Sequence, residues 1–167
     1  IQAASGTILI STPTFVRGYM RRFAAEQLRT LRLAVVGAER CGAELKEEFK
    51  AAFGTDLLEG YGCTELSPAA AVNTPKANRN GSVGRPLPGI EVMTMDPETR
   101  ELLPPGREGL LVVRSPGRMQ GYLDRPDLTE AAFVHGGYDT GDMGHVDADG
   151  FIFITGRLAR FAKIGGE

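Results

Sequence analysis

The segment LAVVGAERCGAELKEEFKAAFGTDLLEGYGCTE, residues 33–65, carries the pattern that decides the fold. It opens with the apolar run Leu33–Val36, which is typical of a buried strand. Residues 44–53 then mix charged and apolar side chains at helical spacing, and Gly54 supplies a helix stop. Residues 56–60 form another short strand candidate. The segment therefore predicts a strand–helix–strand unit, and such units build parallel sheets.

The same alternation extends toward the amino end. Residues 7–10 form a short apolar run that suits a buried strand. Thr12 before Pro13 is a helix start, with a capping side chain followed by a proline. Apolar residues between 14 and 31 then follow a helical stripe. The resulting βαβαβ order favours a parallel sheet, whose ligands gather at the carboxyl ends of the strands.

The second half of the chain has a different character. Residues 81–89 are rich in glycine and proline, and we place a domain boundary near residue 80. Strands are expected after this boundary at 90–95, 109–114 and 151–155, with one short helix at 126–133. The predicted fold class is thus α/β, in which a parallel βαβ portion (1–80) precedes a β-rich, small-barrel-like subdomain (81–155).

Composition excludes several classes of protein. The 167 residues include 19 Lys and Arg against 21 Asp and Glu, and this balance argues against a nucleic-acid partner. No apolar run approaches the ~18–20 residues of a membrane span. Cys41 and Cys63 are too few for a disulfide-stapled scaffold. Because the chain has no initiator Met and ends without a closing helix or strand pattern, we expect a piece of a longer protein.

The first candidate site is the hexapeptide GYGCTE, residues 60–65, directly after a predicted strand. Its glycines let the backbone approach a ligand closely. Thr64 offers a hydroxyl to a phosphate oxygen, Glu65 offers a carboxylate to a hard cation, and Tyr61 offers a flat face to a base. The alternative is a tight turn that leads into a capped helix. Cys63 has no histidine nearby in sequence, which favours a packed side chain over a nucleophile.

Three further candidates follow other strand ends or turns. Gly37-Ala38-Glu39 ends a strand, and the alternative there is a turn with a solvated Glu. In residues 138–142, Asp142 follows a glycine turn, and its carboxylate could take two ribose hydroxyls; an Asx-type turn is the alternative. The fork of Arg157 could bind a ribose or phosphate oxygen, unless it is only a solvated basic strand end.

In their order and spacing, these four segments resemble the adenylate-forming superfamily of acyl and aryl-CoA ligases, luciferases and peptide-synthetase adenylation domains. The resemblance spans nearly all of residues 33–167. Two further stretches carry it, namely GSVGRP with PG at residues 81–89, and Gly121-Tyr122 followed by Thr129 and Phe133.

The resemblance implies an α/β fold and an enzyme that activates a carboxylate with ATP, giving an acyl-adenylate and pyrophosphate. The acyl group would then pass from the adenylate to a thiol. The resemblance assigns Thr64 and Glu65 to catalysis, with Glu65 holding Mg²⁺. It assigns nucleotide binding to a larger set of residues: Gly37, Ala38, Glu39, Tyr61, Gly62, Thr64, Asp142 and Arg157. Cys63 and Leu66 would face the acyl group. We expect Glu39, Tyr61, Thr64 and Asp142 to converge on one cleft.

Within the superfamily, the strings VVGAE (35–39) and RFAKI (160–164) are most similar to bacterial acyl–acyl carrier protein synthetases. That group implies a fatty acid substrate, acyl carrier protein as acceptor and, in many members, a fused 2-acylglycerophosphoethanolamine acyltransferase of phospholipid metabolism. The parent protein would then lie in the bacterial cytoplasm or at the inner membrane. An acyl-CoA ligase and a non-catalytic nucleotide-binding module are the alternatives.

The resemblance also implies that two catalytic elements lie outside this chain. The family's phosphate loop would precede Ile1, and its catalytic Lys would follow Glu167. Residues 156–167 would form a hinge, where Ala159 replaces the Asp or Lys of many relatives. We therefore expect the chain alone to be inactive.

Overall fold

The computed structural model describes residues 5–158, which form two β-sheets with helices packed on the first. The first sheet has the strand order β1-β2-β3-β4-β5. Its strands are β1 (Ile8–Ser11), β2 (Leu33–Val36), β3 (Leu57–Tyr61), β4 (Ala71–Val72) and β5 (Arg85–Pro86). Strands β1, β2 and β3 pair in parallel, as the alternating pattern predicts, whereas β4 and β5 add antiparallel pairs.

Three helices connect the parallel strands: α1 (Pro13–Met20), α2 (Ala25–Leu28) and α3 (Ala43–Phe53). Helix α1 begins as predicted, because the Thr12 hydroxyl accepts the Phe15 N–H at 3.4 Å and proline takes the first helical position. Helix α3 ends at Gly54, whose φ of 71° lies in the left-handed region.

The helical stripe between residues 14 and 31 is interrupted, contrary to expectation. The N–H groups of Arg22 and Phe23 both bond to the Tyr19 carbonyl, which tightens the chain and ends α1. The Gln27 side chain then accepts the Ala24 N–H at 2.9 Å and starts the short helix α2. Two helices therefore replace one, because local capping bonds override the apolar spacing.

One face of the first sheet carries the larger hydrophobic core, which helices α1, α2 and α3 cover. Its buried members come from both sheet and helices: Val16, Leu28, Leu31, Ala34, Val36, Cys41, Leu45, Phe49 and Leu57. This packing holds the carboxyl ends of β2 and β3 side by side, which is the edge where ligands of parallel sheets bind.

The second sheet is a curled antiparallel half-barrel with the order β10-β9-β7-β6, to which β8 adds through β9. Its strands are β6 (Glu91–Met95), β7 (Gly109–Arg114), β8 (Phe133–Val134), β9 (Gly137–Val146) and β10 (Ile152–Arg157), and helix α4 covers Pro126–Ala132. The predicted α/β class with a β-rich second portion is confirmed.

Strand β9 was not predicted, and it changes the interpretation of residues 138–142. These residues lie inside a ten-residue strand instead of a glycine turn. Three glycines in β9, at 137, 141 and 144, weaken its strand pattern, since glycine contributes no side chain to a sheet.

The two sheets are joined in the backbone as well as by packing. The Val83 N–H bonds to the Ile152 carbonyl, and the Ile152 N–H bonds to the Gly84 carbonyl, each at 2.9 Å.

The first sheet includes β5 and so continues past residue 80, where the sequence predicts a domain boundary; that boundary stays a prediction. Of the expected hinge, residues 159–167 lie outside the described part of the chain. Between residues 5 and 158, no helix has the length and apolar character needed to cross a membrane.

Candidate functional site

A cavity of about 400 Å³ lies where the carboxyl ends of β2 and β3 face the second sheet. Six of the residues that the resemblance assigns to nucleotide binding line this cavity: Ala38, Glu39, Tyr61, Gly62, Asp142 and Arg157. Gly37, Thr64 and Glu65 are not among the lining residues. Segments more than 100 residues apart in sequence thus meet in one cavity, and of the four residues expected to converge only Thr64 stays outside.

The loop after β2 forms one wall. Ala38 has a φ of 66°, an unusual conformation for a residue with a side chain, which turns the loop sharply. The Glu39 carboxylate accepts hydrogen bonds from the hydroxyl and the backbone N–H of Thr14, at 2.6 and 3.3 Å. Because Thr14 lies in the first turn of α1, this contact fixes the loop against that helix. Sequence reasoning gave no sign of it.

Asp142 reaches the cavity through a bulge in β9. Strand β9 places Asp139 opposite Val112 and Met143 opposite Leu110, so three residues of β9 face a single residue of β7. Gly141, with a φ of 72°, occupies the bulge. Bulges of this kind redirect side chains beside active sites, and here the bulge directs Asp142 toward the first sheet.

Tyr61 and Asp142 make a direct contact across the cavity. The Tyr61 hydroxyl donates to Asp142 Oδ2 at 2.7 Å, which joins β3 of one sheet to β9 of the other. Arg157 Nε lies 3.7 Å from Asp142 Oδ1. Burial raises the pKa of Tyr61, and the hydrogen bond to Asp142 raises it further, so the hydroxyl stays protonated and remains a donor.

A largely buried ion pair lines the cavity, and sequence reasoning missed it. Lys46 Nζ of α3 lies 2.9 Å from Glu59 Oε2 of β3, and Glu59 Oε1 accepts the Cys41 N–H at 3.1 Å. Glu59 therefore ties the β2–α3 loop to the sheet. Burial raises the pKa of the Cys41 thiol, and the Glu59 charge adds to this effect. The signal was a charged residue inside the buried run of β3, whose partner cannot be identified from spacing.

Thr64 and Glu65 lie in a one-turn 3-10 helix (Thr64–Leu66) just beyond the cavity. Thr64 is exposed, and Glu65 Oε1 accepts the Tyr122 hydroxyl at 2.8 Å. Burial by itself would raise the pKa of the Glu65 carboxyl, but hydrogen bonds from its own N–H and from Tyr122 outweigh that effect and lower it. Gly62 lets the backbone at Pro68 pass close to it, since a Cβ at residue 62 would lie 1.9 Å from the Pro68 carbonyl oxygen.

The donor set suits a cation that is shared with a substrate. Within the described residues, no group of three or more His, Cys, Asp or Glu side chains could hold a metal ion by itself. Glu65 offers one ionised carboxylate beside the exposed Thr64 hydroxyl. Mg²⁺ is commonly held by one or two carboxylates together with substrate phosphates, so this arrangement fits Mg²⁺ only with a nucleotide present.

The two residues expected to face an acyl group differ in their surroundings. Burial and then the charge of Glu65 raise the pKa of the Cys63 thiol to about 11, so it is a poor nucleophile at neutral pH. Leu66 is fully buried against Ala70 and Tyr138 in the core. Leu66 therefore anchors the 3-10 helix to the core, and its side chain is not exposed.

The chain is similar to known proteins over most of its length. Residues 1–123 match the family model described as AMP-binding enzyme. The chain is 34% identical over 163 residues to a 3-hydroxybenzoate–CoA/4-hydroxybenzoate–CoA ligase of Thauera aromatica, covering 96% of this chain and 31% of that protein. It is 36% identical over 148 residues to the fatty acid–[acyl-carrier-protein] ligase ScoC of Streptomyces coeruleorubidus, covering 86% of this chain and 28% of that protein.

One solved structure resembles this chain over its whole length. The anthranilate CoA ligase AuaEII in complex with anthranoyl-AMP superimposes with a TM-score of 0.86 at 31% identity, covering 100% of this chain and 32% of that one. The chain therefore spans about a third of the length of the relatives it matches.

Proposed function

We propose that this chain, which belongs to the AMP-binding enzyme family, is the nucleotide-binding part of a ligase that activates a carboxylic acid with ATP. In this reaction the carboxylate attacks the α-phosphate, pyrophosphate leaves, and the acyl group then passes from the adenylate to a thiol. The chemical difficulty is that an anion must attack a polyanion, so cations and hydrogen-bond donors must neutralise the charge.

The observation that carries the proposal is the convergence of Glu39, Tyr61 and Asp142 on one cavity. Tyr61 supplies a flat face for adenine, and the loop of Gly37, Ala38 and Glu39 lies on the other side. The carboxylate of Asp142 suits two neighbouring ribose hydroxyls, because its two oxygens can each accept a hydrogen bond. Arg157 assists there from its place 3.7 Å from Asp142.

The phosphates would extend from the cavity past Gly62 toward the 3-10 helix. Thr64 is exposed, so its hydroxyl would donate to a phosphate oxygen, and Glu65 would be the protein ligand of Mg²⁺. When bound, Mg²⁺ supplies charge neutralisation on the phosphates. The hydrogen bond from Tyr122 holds the Glu65 carboxylate in one orientation.

For the whole protein we propose a fatty acid substrate and acyl carrier protein as the acceptor of the acyl group. Similarity to a fatty acid–[acyl-carrier-protein] ligase supports this, together with the strings at residues 35–39 and 160–164. An acyl-CoA ligase is the second candidate, which similarity to a CoA ligase favours. A fused acyltransferase of phospholipid metabolism, at the cytoplasmic side of the membrane, belongs to the first proposal.

We also propose the division of the chain into an α/β portion (1–80), a β-rich subdomain (81–155) and a hinge (156–167). A phosphate loop before residue 1 and a catalytic Lys after residue 167 would complete the enzyme. The isolated chain should then bind AMP weakly and release no pyrophosphate from ATP. Pyrophosphate release by the isolated chain would show that the catalytic groups are misassigned.

The function is tested in the full-length protein that carries this chain. ATP–pyrophosphate exchange with a fatty acid should depend on Asp142, since a hydrogen bond to a charged group is worth ~1.5–3 kcal/mol. The Asp142→Ala variant should therefore raise the KM for ATP about 10- to 150-fold. Asp56→Ala is the matched control, because Asp56 lies on the surface in an ion pair with Lys50.

A second measurement separates the two acceptors. The enzyme with preformed acyl-adenylate is mixed with acyl carrier protein or with CoA, and the thioester product of each reaction is quantified. Transfer to CoA alone would establish the acyl-CoA ligase. Absence of exchange in the wild-type protein would leave a non-catalytic nucleotide-binding module.

A further inference from the structure

Tyr61 presents its hydroxyl to the cavity from a rigid base. Its ring packs against two hydrophobic clusters. One includes the buried residues Leu66 and Ala70, and the other includes Ala71 and Val83. The side chain is thus held between two hydrophobic clusters that the two sheets share. A hydroxyl on so constrained a ring has a fixed location, from which it donates to Asp142 Oδ2 at 2.7 Å.

Asp142 depends on this donor for its orientation. Its backbone is held, because the Asp142 N–H donates to Thr140 Oγ1 at 3.1 Å and the Thr140 hydroxyl donates to the Leu111 carbonyl at 2.9 Å. Its carboxylate faces Tyr61 through Oδ2 and Arg157 through Oδ1. The Arg157 side chain is 76% exposed, so it anchors the carboxylate poorly. The hydroxyl of Tyr61 is therefore the shorter and less exposed of the two contacts.

We propose that Tyr61 is a positioning residue, which aims the Asp142 carboxylate at the ribose through its hydroxyl and thereby sets how strongly the site favours a ribonucleotide over a 2′-deoxyribonucleotide. This inference rests on the function proposed above and adds a role that is separate from the flat face of the ring. Carboxylate oxygens have about four lone-pair sites, so the bond from Tyr61 leaves sites open toward the cavity.

The two roles of Tyr61 can be separated by chemistry. Tyr61→Phe keeps the ring and removes only the hydroxyl. Without that donor the Asp142 carboxylate can rotate toward Arg157 and the solvent, and its contact with the ribose weakens. A nucleotide that lacks the 2′-hydroxyl already lacks part of that contact, so it loses less from the substitution.

The test uses the full-length ligase and compares ATP with 2′-deoxy-ATP in pyrophosphate exchange. Because one hydrogen bond is lost, Tyr61→Phe should raise the KM for ATP roughly 2- to 10-fold. The KM for 2′-deoxy-ATP should change less than about twofold, and kcat should stay near the wild-type value. Calorimetric binding of AMP and 2′-deoxy-AMP gives the same comparison without turnover.

Two variants complete the design. In the Asp142→Ala background, Tyr61→Phe should add no further loss of preference, because the group that Tyr61 positions is gone. Tyr19→Phe is the matched control, since it deletes a hydroxyl from a tyrosine on α1, away from the cavity. Circular dichroism spectra of all variants confirm that each is folded.

Each outcome bears on the inference. A fall in the ratio of the two KM values in Tyr61→Phe supports it. An equal loss for both nucleotides means that the hydroxyl acts through general packing, and an unchanged preference means that it does not act at all; either result overturns the inference while the proposed function stands. A wild-type enzyme without ATP-dependent exchange and without AMP binding overturns both.

Discussion

The buried ion pair between Lys46 and Glu59 gives a prediction for stability. The two side chains are only 13% and 8% exposed, and Lys46 Nζ lies 2.9 Å from Glu59 Oε2. Lys46→Met keeps most of the aliphatic length of the side chain but removes its charge. Among the described residues, Glu59 then keeps a single donor, the Cys41 N–H at 3.1 Å, and its negative charge stays buried.

The magnitude follows from that burial. Removing one partner of a buried ion pair costs about 3–5 kcal/mol, because the other charge is left without compensation. The remaining Cys41 bond places the expected loss of unfolding free energy near the lower end, at about 3 kcal/mol. With a urea dependence of ~1–3 kcal/mol per molar, the midpoint of unfolding should fall by roughly 1 M or more. Far-ultraviolet circular dichroism of the 167-residue chain in urea measures it.

A second ion pair on the same helix is the control. Lys50 Nζ lies 2.8 Å from Asp56 Oδ1, but these side chains are 63% and 44% exposed. Lys50→Met should therefore cost no more than about 0.5 kcal/mol, although the distance is nearly the same. The double variant Lys46→Met/Glu59→Gln should regain most of the loss, since a neutral Gln still accepts the Cys41 N–H. Equal midpoints for the two single variants, or no recovery in the double variant, would refute the reasoning.

Four further substitutions test other parts of the structure. In the full-length ligase, Glu65→Gln should raise the Mg²⁺ concentration for half-maximal pyrophosphate exchange at least about 10-fold; an unchanged Mg²⁺ titration would remove Glu65 as the metal ligand. Gly84→Ala should cost more than about 3 kcal/mol, since its Cβ would lie 1.9 Å from the backbone of β4 and its φ is 94°. Gly150→Ala, with a φ of 83° and open space around it, should cost only ~1–3 kcal/mol; similar urea midpoints would contradict the steric argument. Phe151→Leu should cost about 1–2 kcal/mol, because two guanidinium groups lie 4.3 and 4.5 Å from its ring, and high salt should not abolish this difference in midpoint.

Local patterns in the sequence were sufficient for the parallel portion of the fold. The apolar run Leu33–Val36 forms β2 with the expected bounds, and Gly54 ends α3 as its left-handed conformation requires. The rule that ligands bind at the carboxyl ends of parallel strands also drew attention to Glu39 and Tyr61. In each case the energy that selects the structure lies within a few neighbouring residues, so it is written in the spacing of side chains.

The contacts that complete the site depend on residues far apart in the chain. Tyr61 and Asp142 are 81 residues apart, and their bond exists because a bulge in β9 turns Asp142 toward the first sheet. That bulge is held by pairing with β7 and β10, while its own glycines gave the pattern of a turn. The pairing of Lys46 with Glu59 likewise follows from packing α3 on β3. Strand register and helix packing are settled by the whole core at once, so no local pattern could specify which of these side chains would meet.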